Sequence, residues 1–102
     1  MTPLLVLKNF ERVMGCTIAD LVSWLPRALP SAVLSIDAIN SCCTAMLSEG
    51  SLRLTWKPLP AIRIARLEIP RLNVNFVCAG LSPEHRYQVQ KRFDLATLRG
   101  GG

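Results

Sequence analysis

Residues 52–78 read LRLTWKPLPAIRIARLEIPRLNVNFVC, and the fold turns on how this stretch is read. Leu52, Leu54 and Trp56 alternate with Arg53, Thr55 and Lys57. Successive strand side chains point to opposite faces, so the pattern predicts a half-buried strand with a basic outer side. Pro58 and Pro60 cannot donate to a ladder and predict an interruption. Ile62 and Ile64 resume the alternation, while Leu67 and Ile69 follow in the opposite phase. A one-residue change of phase is what a bulge produces, so a bulge is expected near Ala65-Arg66. Pro70 predicts the next break. Leu72, Val74, Phe76 and Cys78 then alternate with Arg71, Asn73, Asn75 and Val77, the clearest strand signal in the chain.

On the amino-terminal side, Leu34, Ile36 and Ala38 alternate with Ser35 and Asp37, which predicts a strand. Asn40-Ser41 supplies a turn and Cys42 to Leu47 a second strand. A helix from Ile36 to Leu47, stopped by Gly50, is the competing reading, because short apolar runs are ambiguous. Glu49-Gly50 reads as a hairpin turn. Further back, Val6, Leu7, Phe10, Val13 and Met14 recur at helical spacing, with Thr2 as cap, Pro3 at the first position and Gly15 as stop. Thr17 caps a second predicted helix, with Asp20 in its first turn and Leu21, Trp24, Leu25, Ala28 and Leu29 on its apolar side. Pro26 is expected to kink or break that helix, and Pro30 to end the helical region. On the carboxyl side, Ser82-Pro83-Glu84 is a strong helix start. Val89, Phe93 and Ala96 form the apolar side of this last helix, and Arg99-Gly100 its stop.

These elements predict one α+β domain over residues 1–102, with a flexible glycine end at 100–102. A single antiparallel sheet of four to five strands is expected, with the N-terminal helices and one C-terminal helix packed on one face. The other face is expected to carry Arg53, Lys57, Arg63, Arg71, Asn73 and Asn75.

Composition narrows the function classes. Half of the residues are hydrophobic and 19% are charged, which argues against disorder. It also implies more apolar surface than one small core hides, and hence an interface. The net charge of +5 is uneven: residues 1–50 carry three basic and four acidic side chains, residues 51–102 nine and three. The plain reading is a solvated basic face; the sharper one is a surface for an anionic partner. Cys16, Cys42, Cys43 and Cys78 form no C-x-x-C pair, and with one histidine a zinc site is not expected. Cys42 and Cys43, adjacent on a strand, are expected to point to opposite faces. No signal peptide and no membrane span is read, so the expectation is a cytoplasmic protein with reduced, buried cysteines.

No residue pattern points to catalysis, and no cofactor is implied. His85 lacks a nucleophile or orienting carboxylate nearby in sequence and reads as a first-turn surface residue. The seven acids are scattered, and no P-loop, G-x-S-x-G, H-E-x-x-H or G-x-G-x-x-G occurs. Nonspecific phosphate binding needs several cations on one surface, and Arg53, Lys57, Arg63 and Arg71 are the candidate anion-binding set. Trp56 and Phe76 fall in the core phase, which removes the stacking platforms of single-strand binders. Leu98-Arg99-Gly100-Gly101-Gly102 resembles the diglycine tail of ubiquitin and of bacterial ubiquitin-like sulfur carriers. Those families reach their tail from a strand, and a helix stop explains the glycines here. The leading expectation is a non-enzymatic protein-interaction module that pairs with itself, since sheet edges extend readily and Val77 and Leu98 are expected to be exposed.

Val13-Met14-Gly15-Cys16, Trp24-Leu25-Pro26, Pro70-Arg71-Leu72 and Arg92-Phe93-Asp94-Leu95, with the glycine end, resemble a family of short uncharacterised proteobacterial proteins. The resemblance covers nearly the whole chain. It implies a bacterial cytosolic protein and carries over no functional residue.

Overall fold

The computed structural model describes residues 6–98. Its elements in chain order are β1 (Asn9–Met14), α1 (Ile18–Ala28), β2 (Val33–Asp37), β3 (Cys42–Met46), β4 (Ser51–Ile64), β5 (Leu67–Ala79) and α2 (Pro83–Leu98). The strands form one antiparallel sheet in the order β1-β5-β4-β3-β2. The α+β class read from the sequence holds, with residues 33–46 as two strands rather than a helix. Consecutive hairpins build β2 to β5. The first strand returns to the far edge beside β5, so α1 carries the chain across one face between opposite edges.

The core follows from the two-residue period. Leu52, Leu54 and Trp56 stand opposite Cys78, Phe76 and Val74, and Cys43 and Ala45 opposite Leu54 and Leu52. All but the half-buried Cys78 are buried, and they close against Leu21, Trp24, Leu25 and Ala28 of α1 and Phe93 of α2. Phe10 stacks on Phe76 with centroids 4.7 Å apart, and Phe93 meets Phe76 edge-on at 5.2 Å. This offset and edge-on geometry is the one aromatic quadrupoles favour. Cys43 faces this core and Cys42 the other side, as adjacent strand residues must.

Four sequence expectations are corrected. The segment up to Met14, read as a first helix, ends in strand β1; the expected cap at Thr2 and Pro3 lies outside the described residues. Its apolar residues follow the helical period, and Val13 and Arg12 fall out of phase for a strand. The free edge of β5 decides, because Phe10, Arg12 and Met14 pair there with Phe76, Val74 and Leu72. Helix α1 runs through Pro26 to Ala28. Proline so near the end costs one backbone bond, while Leu25, Ala28 and Leu29 remain buried. The capping box of Thr17 and Asp20 is present, with the Asp20 amide donating to Thr17 Oγ1 at 3.1 Å.

The third and fourth corrections concern the long hairpin. Strand β4 continues through Pro58 and Pro60, and β5 through Pro70. The ladder's directions explain this. The Trp56 amide donates to Ser41 O at 3.0 Å, away from β5, so Pro58 and Pro60, two and four residues on, lack an N–H that would also point outward. The Cys78 amide donates to Lys8 O at 2.7 Å, toward β1, and Pro70 shares its phase on the β5 edge. Finally, Ala65-Arg66 is the hairpin turn, with Ala65 at φ 54°, and the bulge lies between Leu59 and Ile62. Two residues of β4, Pro60 and Ala61, there oppose Pro70 alone.

Candidate functional site

The helices cover one face of the sheet. On the other, alternation places Asn9, Glu11 and Val13 of β1, Arg71, Asn73, Asn75 and Val77 of β5, Arg53, Thr55 and Lys57 of β4, Cys42, Thr44 and Met46 of β3, and Val33, Ser35 and Asp37 of β2. Beyond the row of Pro58 and Leu72 neither β1 nor β3 follows, and β4 and β5 continue alone as a two-stranded arm.

The bulge decides which way the arm's apolar side chains point. Along β5 the alternation is unbroken, so Ile69 and Leu67 lie on the side of Arg71 and Asn73. Without the extra residue in β4, Ile62 and Ile64 would fall on the opposite side from these partners. With it, Ile62 pairs with Ile69 and Ile64 with Leu67 on one side. That is the side away from both described helices. Ile62, Ile64 and Leu67 are 41%, 57% and 67% exposed. The arm's other side holds the Arg63–Glu68 ion pair, 3.3 Å long. Arg71 ties the bulge down, its Nε donating to Pro60 O at 2.9 Å.

Of the four cations read as an anion-binding set, Arg53, Lys57 and Arg71 share the helix-free face. Arg63 does not: the bulge turns it to the opposite side, where Glu68 accepts from it. The face also holds Glu11 and Asp37. Asp37 Oδ1 accepts from the Ile39 and Asn40 amides at 3.1 Å, and Oδ2 from Asn40 Nδ2 at 2.8 Å. Bonds from Asn40 hold its carboxyl below the ordinary value, with Arg53 adding a smaller pull. Arg53 Nη2 also lies 3.8 Å from Cys42 Sγ. Trp56 and Phe76 are buried, as the core phase requires.

The remaining polar groups tie elements together. His85 Nδ1 lies 2.8 Å from both Ser82 Oγ and Glu49 Oε2, joining the start of α2 to the β3–β4 turn. The buried Arg86 donates to Val6 O and Leu81 O. Arg12 on β1 pairs with Asp94 on α2, which also accepts from Gln90. Burial pushes the Cys16 thiol up to about 11, with Asp20 adding to the effect, and burial also raises Cys43 and Cys78. Two adjoining depressions of about 200 and 480 Å³ lie where α1 ends against α2, edged by Arg27 and Arg92. Among their lining residues there is no acid, histidine or cysteine. No group of three His, Cys, Asp or Glu among the described residues is placed to hold a metal ion.

Sequence reading found the helix-free cations but missed the arm's apolar strip. The signal was available in the proline spacing. Pro58 and Pro60 share the phase of Trp56, so they fit an edge position, and the phase change belonged beside them. The terminal glycines lie outside the described residues, as does the side chain of Leu98. No described helix is long and apolar enough to cross a membrane. Comparison with protein-family models gives no match, and comparison with curated proteins gives none.

Proposed function

We propose that the chain is a non-enzymatic protein-interaction module that associates with itself, and that the helix-free face with its arm is the contact surface. One observation carries this reading. Ile62, Ile64, Leu67 and Ile69 gather on the side of the arm that neither described helix covers. A two-stranded ribbon is marginal in water on its own, and an apolar strip of this kind gains most by meeting another protein. Val77 and Met46 extend the exposed apolar surface across the same face, among small polar side chains suited to packing against a second sheet. Two-fold pairing is the commonest form such association takes.

Sedimentation of the full chain at two concentrations tests the proposal. The expected result is a mass that rises above 11.3 kDa with concentration. Substituting Ile64→Glu together with Leu67→Glu should shift the rise to higher concentration, because two charges on the strip would need desolvating. A wild-type mass equal to one chain throughout would remove self-association.

A second reading has its own support, the shared orientation of Arg53, Lys57 and Arg71. Such a face attracts phosphates, and binding would weaken linearly on a log–log plot against salt. Glu11 and Asp37 dilute it, and the burial of Trp56 and Phe76 leaves no base-stacking surface there. A salt series with single- and double-stranded DNA separates the readings: affinity surviving at physiological salt would favour the polyanion.

A further inference from the structure

The open edges of this sheet are unequally protected. The arm is closed along both sides, since Pro58 and Pro60 remove outward N–H groups from β4 and Pro70 removes one from β5. Strand β1 carries Glu11, with Lys8 just before it and Arg12 tied to Asp94 of α2, and edge charges discourage strand addition. Strand β2 has neither proline nor lysine nor arginine.

The directions of its backbone groups can be followed across the sheet. The Leu47 amide donates to Gly50 O at 2.8 Å, toward β4, so Cys42, Thr44 and Met46 turn theirs toward β2. Val33, Ser35 and Asp37 stand opposite these and pair with them, which leaves the N–H and C=O of Leu34 and Ile36 pointing out of the sheet. Around them Val33, Ile36 and Ile39 are 74%, 41% and 93% exposed. The one charged side chain of β2, Asp37, is occupied with the turn.

We infer that β2 is the strand-addition edge of this protein and that its occupant is β2 of a second copy, running antiparallel about a two-fold axis at Ser35. The segment is self-complementary in that register. Leu34 of each copy faces Ile36 of the other, and the outward groups of these two residues satisfy one another. Val33 of one copy faces Asp37 of the other, so the two carboxylates sit at opposite ends and like charges do not meet. The axis is normal to the sheet, which keeps both pairs of helices on one side. Both helix-free faces and both arms then lie together on the other. The contact rests on the self-association reading but uses a surface separate from the arm.

Amide hydrogen exchange of the full chain, followed by NMR at low and high protein concentration, tests it. Exchange at Leu34 and Ile36 should slow by about tenfold or more as the copies pair, since only the paired state protects these amides. Ile36→Pro deletes an outward donor and Ile36→Lys keeps the donor but adds an edge charge. Both should lower the assembled mass while leaving the circular dichroism unchanged. If the mass rises with concentration while the Leu34 and Ile36 amides exchange at a constant rate, the copies meet elsewhere; the edge inference then falls and self-association stands. A mass of one chain at every concentration removes both. Protection that appears only with an added partner protein rejects the second copy as occupant.

Discussion

Gly50 stands in the β3–β4 turn against the end of β5. A Cβ there would run into the Ala79 carbonyl oxygen and lie 2.8 Å from the Gly80 carbonyl carbon. Backbone atoms cannot swing aside as a flexible side chain can. Gly50→Ala should therefore lower unfolding stability by about 1–3 kcal/mol, read as a shifted urea midpoint with unchanged slope. Two titrating residues set pH limits of opposite sense. The Cys16 thiol is raised in the folded state, so the folded chain holds its proton longer than the unfolded one. Its contribution is fully present below pH 9 and is lost as the pH rises through about 11. Urea midpoints between pH 8 and 11 should fall less in Cys16→Ala than in wild type. Asp37 is lowered, so its contribution is present above the ordinary carboxyl range and is lost as the pH falls through the depressed value. Asp37→Asn should flatten that part of the acid limb.

The elements show which signals a sequence carries. The part of strand β5 from Arg71 to Cys78 and the start of α2 were legible because every local cue agreed: strict alternation in one, and a cap, a first-position proline and an acid in the other. Strand β1 was not, because Val6, Leu7, Phe10, Val13 and Met14 fit a helical face. What overrides that period is the unpaired edge of β5, a partner more than fifty residues away in sequence. Prolines misled for a different reason. Their cost depends on whether the missing N–H faces a neighbour strand or solvent, and that requires knowing where β1 and β3 stop. If Pro58 and Pro60 guard the edge of the arm, Pro58→Thr with Pro60→Thr should fold with little loss of stability yet aggregate at lower concentration. Light scattering over a dilution series measures this. An unchanged onset would mean the prolines serve the bulge alone.

At the scale of the molecule, the strand order places the arm where no other described strand pairs with it. The described chain has extents of 44 × 37 × 21 Å and a radius of gyration of 13.9 Å, against about 13 Å for a compact domain of this length. The candidate surface was only half visible beforehand. The cations of Arg53, Lys57 and Arg71 follow from simple alternation, but the shared side of Ile62, Ile64, Leu67 and Ile69 depends on a bulge beside Pro60 that alternation alone does not place. Isoleucine methyl NMR over a concentration series reads this surface directly, because the chain's six isoleucines sample the arm, the β2 end and α1. The account predicts that the methyls of Ile62, Ile64 and Ile69 shift with concentration while that of Ile18, at the start of α1, stays fixed. Arm methyls that hold still while the assembly grows would contradict it.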